Sequence, residues 1–325
     1  MTESIDALLR AYDGAVPGAA VLVARDAEPV ARLVYGLADL ERATPVTPAT
    51  NFRLASITKQ FTAAAILLLA QEKLLGLDNR ARNWLPTLPP AADAVTIRQL
   101  LTHGSGLVDY EDLIPTSTQR QLADADVLTL LEGANRTYFT PGSSYRYSNG
   151  GYALLALIVE RASGRAFADF LRERFFGPLG MLGTVAYRKG IDDISRRAFG
   201  YSADQERWIR TDQSLTSAVL GDGGIYSSID DLAKWDAALY DDRLFAAASL
   251  RQMFAPAVAT DDPAIRYGFG WRITGDCHWH SGETIGFRNV IVRIPDRRLT
   301  VVVLTNRNGP EPHATALAIA ELAGL

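Results

Sequence analysis

Cysteine, histidine and lysine are all scarce in this chain, and each scarcity narrows what the chain can be. One cysteine, Cys277, stands among 325 residues, so an internal disulfide and a multi-cysteine zinc site are both excluded. Only four histidines occur, two of them in His278-Trp279-His280. That pair could supply metal ligands from a strand, but no acidic partner stands at a recognisable spacing. A metal hydrolase is therefore the weaker rival, and no cofactor is expected. No apolar run reaches the roughly 18 residues of a membrane-spanning helix. The longest, Ala63 to Ala70, runs straight into Gln71-Glu72-Lys73. The N-terminal stretch Met1 to Asp6 has neither the basic nor the apolar region of a secretory leader, and the chain reads as cytoplasmic. Charge of either sign is not in excess. A net charge of -4, spread evenly, gives no polyanion-binding surface, and nucleic acid is not an expected partner.

Two further absences concern motifs. No Gly-x-Ser-x-Gly occurs, which disfavours an α/β-hydrolase. No Gly-x-Gly-x-x-Gly or Gly-Lys-[Ser/Thr] occurs either, which leaves nucleotide binding unsupported. Lysine occupies only positions 59, 73, 189 and 234, the other 29 basic residues being arginine. A lysine in such a chain marks a place where arginine will not serve.

What is present alternates between strand and helix patterns. Ile5 to Tyr12 has helical spacing. Ala19 to Ala24 and Val30 to Tyr35 read as a β-pair joined by the polar turn Arg25 to Pro29. From about Thr58 to Ala162 the pattern is helical, with Phe61 to Leu75 stopping at Gly76 and Gly151 to Ala162 followed by Ser163-Gly164. Tyr267 to Ile273, Cys277 to Gly282, Phe287 to Ile294 and Leu299 to Thr305 read as strands, and connections so short force antiparallel neighbours. A last helix spans His313 to Leu325. The expected fold is α/β (α+β): an antiparallel sheet built from both termini, flanked by helices, with a mostly helical part inserted. The expected division is 1–57 with 216–325 against 58–215, within a single domain.

Three short motifs carry chemistry. In Leu54-Ala55-Ser56-Ile57-Thr58-Lys59, the serine stands at the start of the Ala/Leu helix and the lysine three residues on. That spacing puts both side chains on one helical face within hydrogen-bonding reach. A serine hydroxyl must lose its proton during attack, and a lysine can take it only while neutral. Arginine stays protonated and cannot. The helix start adds backbone N–H groups for an oxyanion. Alone, the pair is more readily a capping serine and a surface lysine. In Tyr145-Arg146-Tyr147-Ser148-Asn149, extended backbone would point Tyr147 and Asn149 the same way, a phenol as general base and an amide as donor and acceptor. The alternative is a turn with a packed tyrosine. In Trp279-His280-Ser281-Gly282-Glu283, a strand can bind substrate backbone by β-addition and its glycine permits close approach. The N–H of Glu283 is placed as a second oxyanion donor.

Together the three resemble the serine β-lactamase and penicillin-binding-protein superfamily, whose signatures are Ser-x-x-Lys, a second motif of Tyr-x-Asn form, and Lys-Thr-Gly. Ser56 to Lys59 matches the first without change. Tyr147-Ser148-Asn149 is similar to the Tyr-x-Asn form, which points to the class C β-lactamase-like branch with its DD-peptidase, D-aminopeptidase and esterase relatives. His280-Ser281-Gly282 stands where Lys-Thr-Gly would lie. Leu100 to Leu107, Gly221 to Ser227 and Leu304 to Arg307 resemble that branch too. The resemblance implies catalysis by Ser56, Lys59 and Tyr147 through an acyl-enzyme. It implies substrate binding by Asn149, His280, Ser281 and Gly282, and an oxyanion held by the N–H groups of Ser56 and Glu283.

Histidine for lysine at position 280 removes a permanent cation, since histidine is mostly neutral at pH 7. Small esters and D-amino-acid peptides or amides are therefore expected ahead of β-lactams. A β-lactamase or DD-carboxypeptidase proper is the alternative. A non-catalytic scaffold or ligand sensor on the same fold is the rival of another class. Substrate selection is expected from loops such as Val108 to Gln119 and Asp204 to Leu215, and nothing in the sequence sets the oligomeric state.

Overall fold

The computed structural model describes residues 2–205 and 207–324. Its centre is an antiparallel sheet of eight strands: β1 (Ala19–Arg25), β2 (Glu28–Tyr35), β3 (Val258–Ala259), β4 (Arg266–Tyr267), β5 (Arg272–Thr274), β6 (Cys277–Thr284), β7 (Phe287–Ile294) and β8 (Leu299–Thr305). Their spatial order is β3-β4-β5-β6-β7-β8-β1-β2. The two chain ends meet where β1 pairs with β8, Ala19 opposite Thr305 and Arg25 opposite Leu299.

Five helices pack the sheet and position the site: α1 (Thr2–Leu9), α2 (Lys59–Gln71), α3 (Asn149–Ser163), α4 (Ile229–Ala238) and α5 (His313–Leu322). They cover both faces of the sheet, so β1 up to Ala24 and the whole of β8 are buried continuously rather than alternating like the strands of a half-exposed antiparallel sheet. On one face Val21, Val23, Val301 and Val303 pack with Ile5, Leu9 and Ile319 from α1 and α5. On the other, Leu22, Val302 and Leu304 join Phe61, Leu155 and Trp235 from α2, α3 and α4. Between Thr58 and Leu215 the chain is mostly helix and long loop, and Leu100, Leu155 and Phe175 from this stretch belong to that second cluster. Among the described residues no helix is long and apolar enough to cross a membrane.

Several boundaries differ from those expected. The turn after β1 closes in two residues, Asp26 and Ala27, at φ 53° and 66°, the tight hairpin geometry whose twist matches the strands. Helix α2 starts at Lys59 and ends at Gln71, and Lys73 then takes a left-handed φ of 60°. The run Tyr267 to Ile273 is two strands, not one. Gly270 breaks it at φ 76°, where a β-carbon would stand 2.7 Å from the Lys59 carbonyl oxygen. The break lets the sheet abut the first turn of α2. Helix α5 stops at Leu322, and Leu325 lies outside the described residues.

Candidate active site

Ser56 sits in a 3-10 turn, Ala55–Thr58, one step ahead of α2 rather than inside the α-helix its spacing predicts. Ala55, just before it, takes a left-handed φ of 49°. Such a conformation crowds a β-carbon and persists only where the surroundings impose it. Here they do. The Leu54 N–H donates to the Ile225 carbonyl (2.8 Å), and the Ile225 N–H donates to Thr58 Oγ1 (3.3 Å). Asn289 Nδ2 donates to the Arg53 carbonyl (2.8 Å). Strand β6 lies directly against the turn, because Gly282 has no β-carbon to meet the Leu54 carbonyl oxygen.

Lys59 is fully buried and surrounded by acceptors. Its Nζ lies 2.9 Å from each of Ser56 Oγ, Asn149 Oδ1 and the Asp222 carbonyl oxygen. An ammonium has three N–H donors and fills all three; a neutral amine would turn its lone pair to the Ser56 hydroxyl. Asn149 opens α3, where Ser148 caps the helix by accepting the Gly151 N–H (3.0 Å). Asn149 also donates from Nδ2 to Glu111 Oε1 (3.0 Å), which links Glu111 through the amide to Lys59. Tyr147 comes alongside, its ring centroid 5.0 Å from Lys59 Nζ. The three hydrogen bonds of Lys59 go to its other neighbours, not to the phenol.

The third motif is disposed differently from its first two members. His280 is 1% exposed, and its ring is already used. Nε2 pairs with Tyr267 Oη (3.0 Å) and Nδ1 with the Ser281 carbonyl (2.6 Å). Burial, with the cations of Arg272 and Lys59, holds its pKa well below the ordinary value, so it is neutral. The ring nitrogens, expected to face substrate, are thus both engaged within the protein. Strand β5 pairs with β6 only over Cys277 to Trp279, which leaves the stretch from His280 to Thr284 open on that side. His278 stacks on Phe254 at 4.7 Å, away from His280's partners. Among the described residues no group of three or more His, Cys, Asp or Glu is placed to hold a metal ion.

Ser56 opens on a cavity of about 350 Å³, whose lining includes Asn149, Glu111, Asp222, Glu283 and Arg53. The guanidinium of Arg53 is buried and bonds the Gly223 carbonyl and Ser217, neutral acceptors that orient it without cancelling its charge. Burial pushes the Asp222 carboxyl up to about 6, with Lys59 and Arg53 opposing and Glu111 adding to the rise. Three carboxyl groups, Glu111, Asp222 and Glu283, stand against the cations of Arg53 and Lys59, so the cavity beside the serine is acidic on balance.

The model of the family described as Beta-lactamase matches residues 5–325 of this chain. The chain belongs to the Beta-lactamase family. Members of this family are β-lactamase-fold serine hydrolases. It is 33% identical to penicillin-binding protein 4* of Bacillus subtilis, over 87% of this chain and 66% of that one. It is 30% identical to the D-aminopeptidase of Gluconobacter oxydans, over 100% of this chain and 63% of that one. The chain thus spans about two thirds, or slightly less, of the length of these relatives. Among solved structures, the D-amino acid amidase of Ochrobactrum anthropi superposes with a TM-score of 0.81 at 26% identity, over 94% of this chain and 91% of that one.

Set in this Beta-lactamase-family frame, the sequence motifs account for Ser56, Lys59, Tyr147 and Asn149, which the structure brings together, and for the glycine of the third motif. They did not single out Glu111 or Asp222. Glu111 lies in the Val108 to Gln119 loop expected to select substrate, and Asp222 in the Gly221 to Ser227 phrase that carries part of the family resemblance. Both signals were visible as segments, but a loop's fold decides which side chain faces the serine.

Proposed function

We propose that this chain hydrolyses amides and esters through an acyl-enzyme on Ser56, and that its preferred acyl group carries a free amine, as in D-amino-acid amides and short D-amino-acid peptides. The observation that carries the reading is the acidic cavity beside Ser56 and the buried Lys59. Glu111, Asp222 and Glu283 line it and outnumber the one arginine there, whose side chain is held by Gly223 and Ser217. A cationic amine is attracted into such a wall, while the carboxylate of a β-lactam is repelled. The names of the relatives, D-aminopeptidase and D-amino acid amidase, agree with an amine-bearing substrate.

In this reading Ser56 Oγ bonds the substrate carbonyl carbon as its proton passes to Lys59 or Tyr147. The N–H groups of Ser56 and Glu283 hold the oxyanion. The same proton reaches the leaving amine or alcohol as its bond to carbon breaks, and water then releases the acid. Arg272 favours a second reading, a carboxypeptidase. Its guanidinium has no acidic partner among the described residues and lies 5.6 Å from the Tyr147 ring centroid, where it could meet a substrate carboxylate.

The deciding experiment compares a D-alanyl p-nitroanilide, its N-acetyl counterpart, a neutral p-nitrophenyl ester and a chromogenic β-lactam, with intact mass taken on each. Turnover of the free amine over its acetylated counterpart, with an adduct lost in Ser56→Ala, supports the proposal. Faster β-lactam than amide turnover sinks the substrate class, and absence of any adduct sinks the acyl-enzyme.

A further inference from the structure

We infer that His103 is a positioning residue that sets Tyr147 against Lys59; the inference rests on the reading of Ser56, Lys59 and Tyr147 as the catalytic group. His103 holds the tyrosine from both sides in the chain. Its carbonyl oxygen accepts the Arg146 N–H (3.0 Å), and its ring Nδ1 accepts the Ser148 N–H (3.0 Å). Tyr147 is the residue between them. The imidazole also packs on the phenol ring itself, centroids 4.3 Å apart and planes tilted by 36°. One residue thereby fixes both the backbone that presents Tyr147 and the plane of its ring.

The local backbone is shaped for this task. His103 takes a left-handed φ of 59°, a region that residues with a β-carbon enter at a steric cost. That turn directs its carbonyl to Arg146 while the ring reaches Ser148. The ring is buried, with Tyr145, Tyr152 and Tyr267 around it at centroid distances of 5.8, 5.2 and 4.5 Å. A nitrogen that accepts an N–H is unprotonated, so the ring proton sits on Nε2. That Nε2 is buried with no hydrogen-bond partner. An unpaired buried donor is unfavourable, and a residue chosen only to fill space there would be an apolar ring. Histidine is kept, on this reasoning, for the acceptor at Nδ1. Because Ser148 also caps α3, the same hydrogen bond holds the start of the helix from which Asn149 reaches Lys59.

The test uses His103→Phe, which keeps an aromatic ring and removes the acceptor, and His103→Gln, which keeps an acceptor. With the D-alanyl p-nitroanilide and p-nitrophenyl ester, His103→Phe is expected to lower kcat by about 100-fold with KM within about threefold. His103→Gln is expected to recover at least about tenfold of that loss. Equal rates in wild type and His103→Phe overturn the proposal, as does a loss of equal size in both variants. A wild type that neither turns over ester nor gains a mass adduct sinks the reading of Ser56 instead. Nitrogen-15 spectra of the four histidines in the wild-type protein test the hydrogen bond without any activity. A neutral, Nε2-protonated His103 from about pH 5 to about pH 9 supports it. An Nδ1-protonated tautomer, or a titration inside that range, overturns it even if His103→Phe does not fold.

Discussion

Lys59 Nζ donates to the backbone carbonyl of Asp222 at 2.9 Å, so the buried amine is tied to the same turn whose carboxyl group lines the cavity beside Ser56. Two other acceptors complete its shell, Ser56 Oγ and Asn149 Oδ1. Lys59→Ala takes this donor from all three, and leaves the Asp222 carbonyl unpaired in a buried place. The proposed mechanism loses its proton carrier as well. The expected result is a fall in kcat/KM of about 10³- to 10⁴-fold and a loss of about 1–3 kcal/mol in stability. Lys59→Arg is expected to do no better on activity, because arginine cannot release its proton. Ester kinetics with urea unfolding of both variants check this; either variant retaining activity within tenfold of wild type removes Lys59 from the mechanism.

Gly282 and Leu54 make a second close approach. A β-carbon at 282 collides with the Leu54 carbonyl oxygen and comes within 3.4 Å of Ile57 Cγ1. Neither β6 nor the turn carrying Ser56 can yield alone, since Asn289 and Ile225 hold the turn. Gly282→Ala is therefore expected to destabilise by about 1–3 kcal/mol, as overpacking does, and to lower turnover out of proportion to the fraction unfolded. A melting curve and a rate measured well below the midpoint separate the two effects. Unchanged values for both would mean that strand and turn part easily.

These sites also mark how far the sequence could be read. The β1–β2 hairpin and the β6–β7–β8 meander follow from apolar runs and short connections, and the serine–lysine spacing gave their hydrogen bond correctly. The split between β4 and β5 did not show, because Tyr267 to Ile273 alternates well as a strand. It is broken by packing of Gly270 on the Lys59 carbonyl, a contact between residues far apart in the chain. For the same reason the burial of His280 did not show. Its burial against Tyr267 depends on where β4 lies, which spacing within β6 does not encode. Glu111 became visible only once its loop had a path. Its hydrogen bond to Asn149 is then what ties the loop to the serine–lysine pair.

The charge of the cavity gives a prediction on specificity. Glu111→Gln keeps an acceptor for Asn149 and removes one negative charge near the serine. It is expected to lower kcat/KM for the free-amine anilide about 10- to 100-fold. The neutral p-nitrophenyl ester should change less than about threefold, and the chromogenic β-lactam should improve. The ratio of anilide to ester rates is the measurement. An unchanged ratio means that Glu111 does not meet the amine.

Asp222 yields a pH dependence with a definite sign. Burial raises its carboxyl from an ordinary 3.8 to about 6, so between these values the folded protein holds the proton and the unfolded chain has released it. Stability then falls as pH rises through that window, because the native state binds more protons than the unfolded one. Asp124, buried and pushed up to about 7, acts in the same direction even though the Leu220 and Gly221 N–H groups donate to it at 2.9 Å. Asp222→Asn removes the first contribution alone. Variant and wild type should unfold at similar urea concentrations near pH 4, and the variant should be the more stable above about pH 7, by on the order of 2–3 kcal/mol. The same ionisation deepens the negative charge of the cavity. The wild-type preference for the free-amine anilide over the neutral ester should therefore rise across about pH 5 to 7, and the rise should flatten in Asp222→Asn. A urea series at several pH values, paired with the two-substrate ratio, tests both. A variant that is less stable than wild type at pH 8 would show that the carboxylate is held there by favourable contacts, and would reverse the sign of the argument.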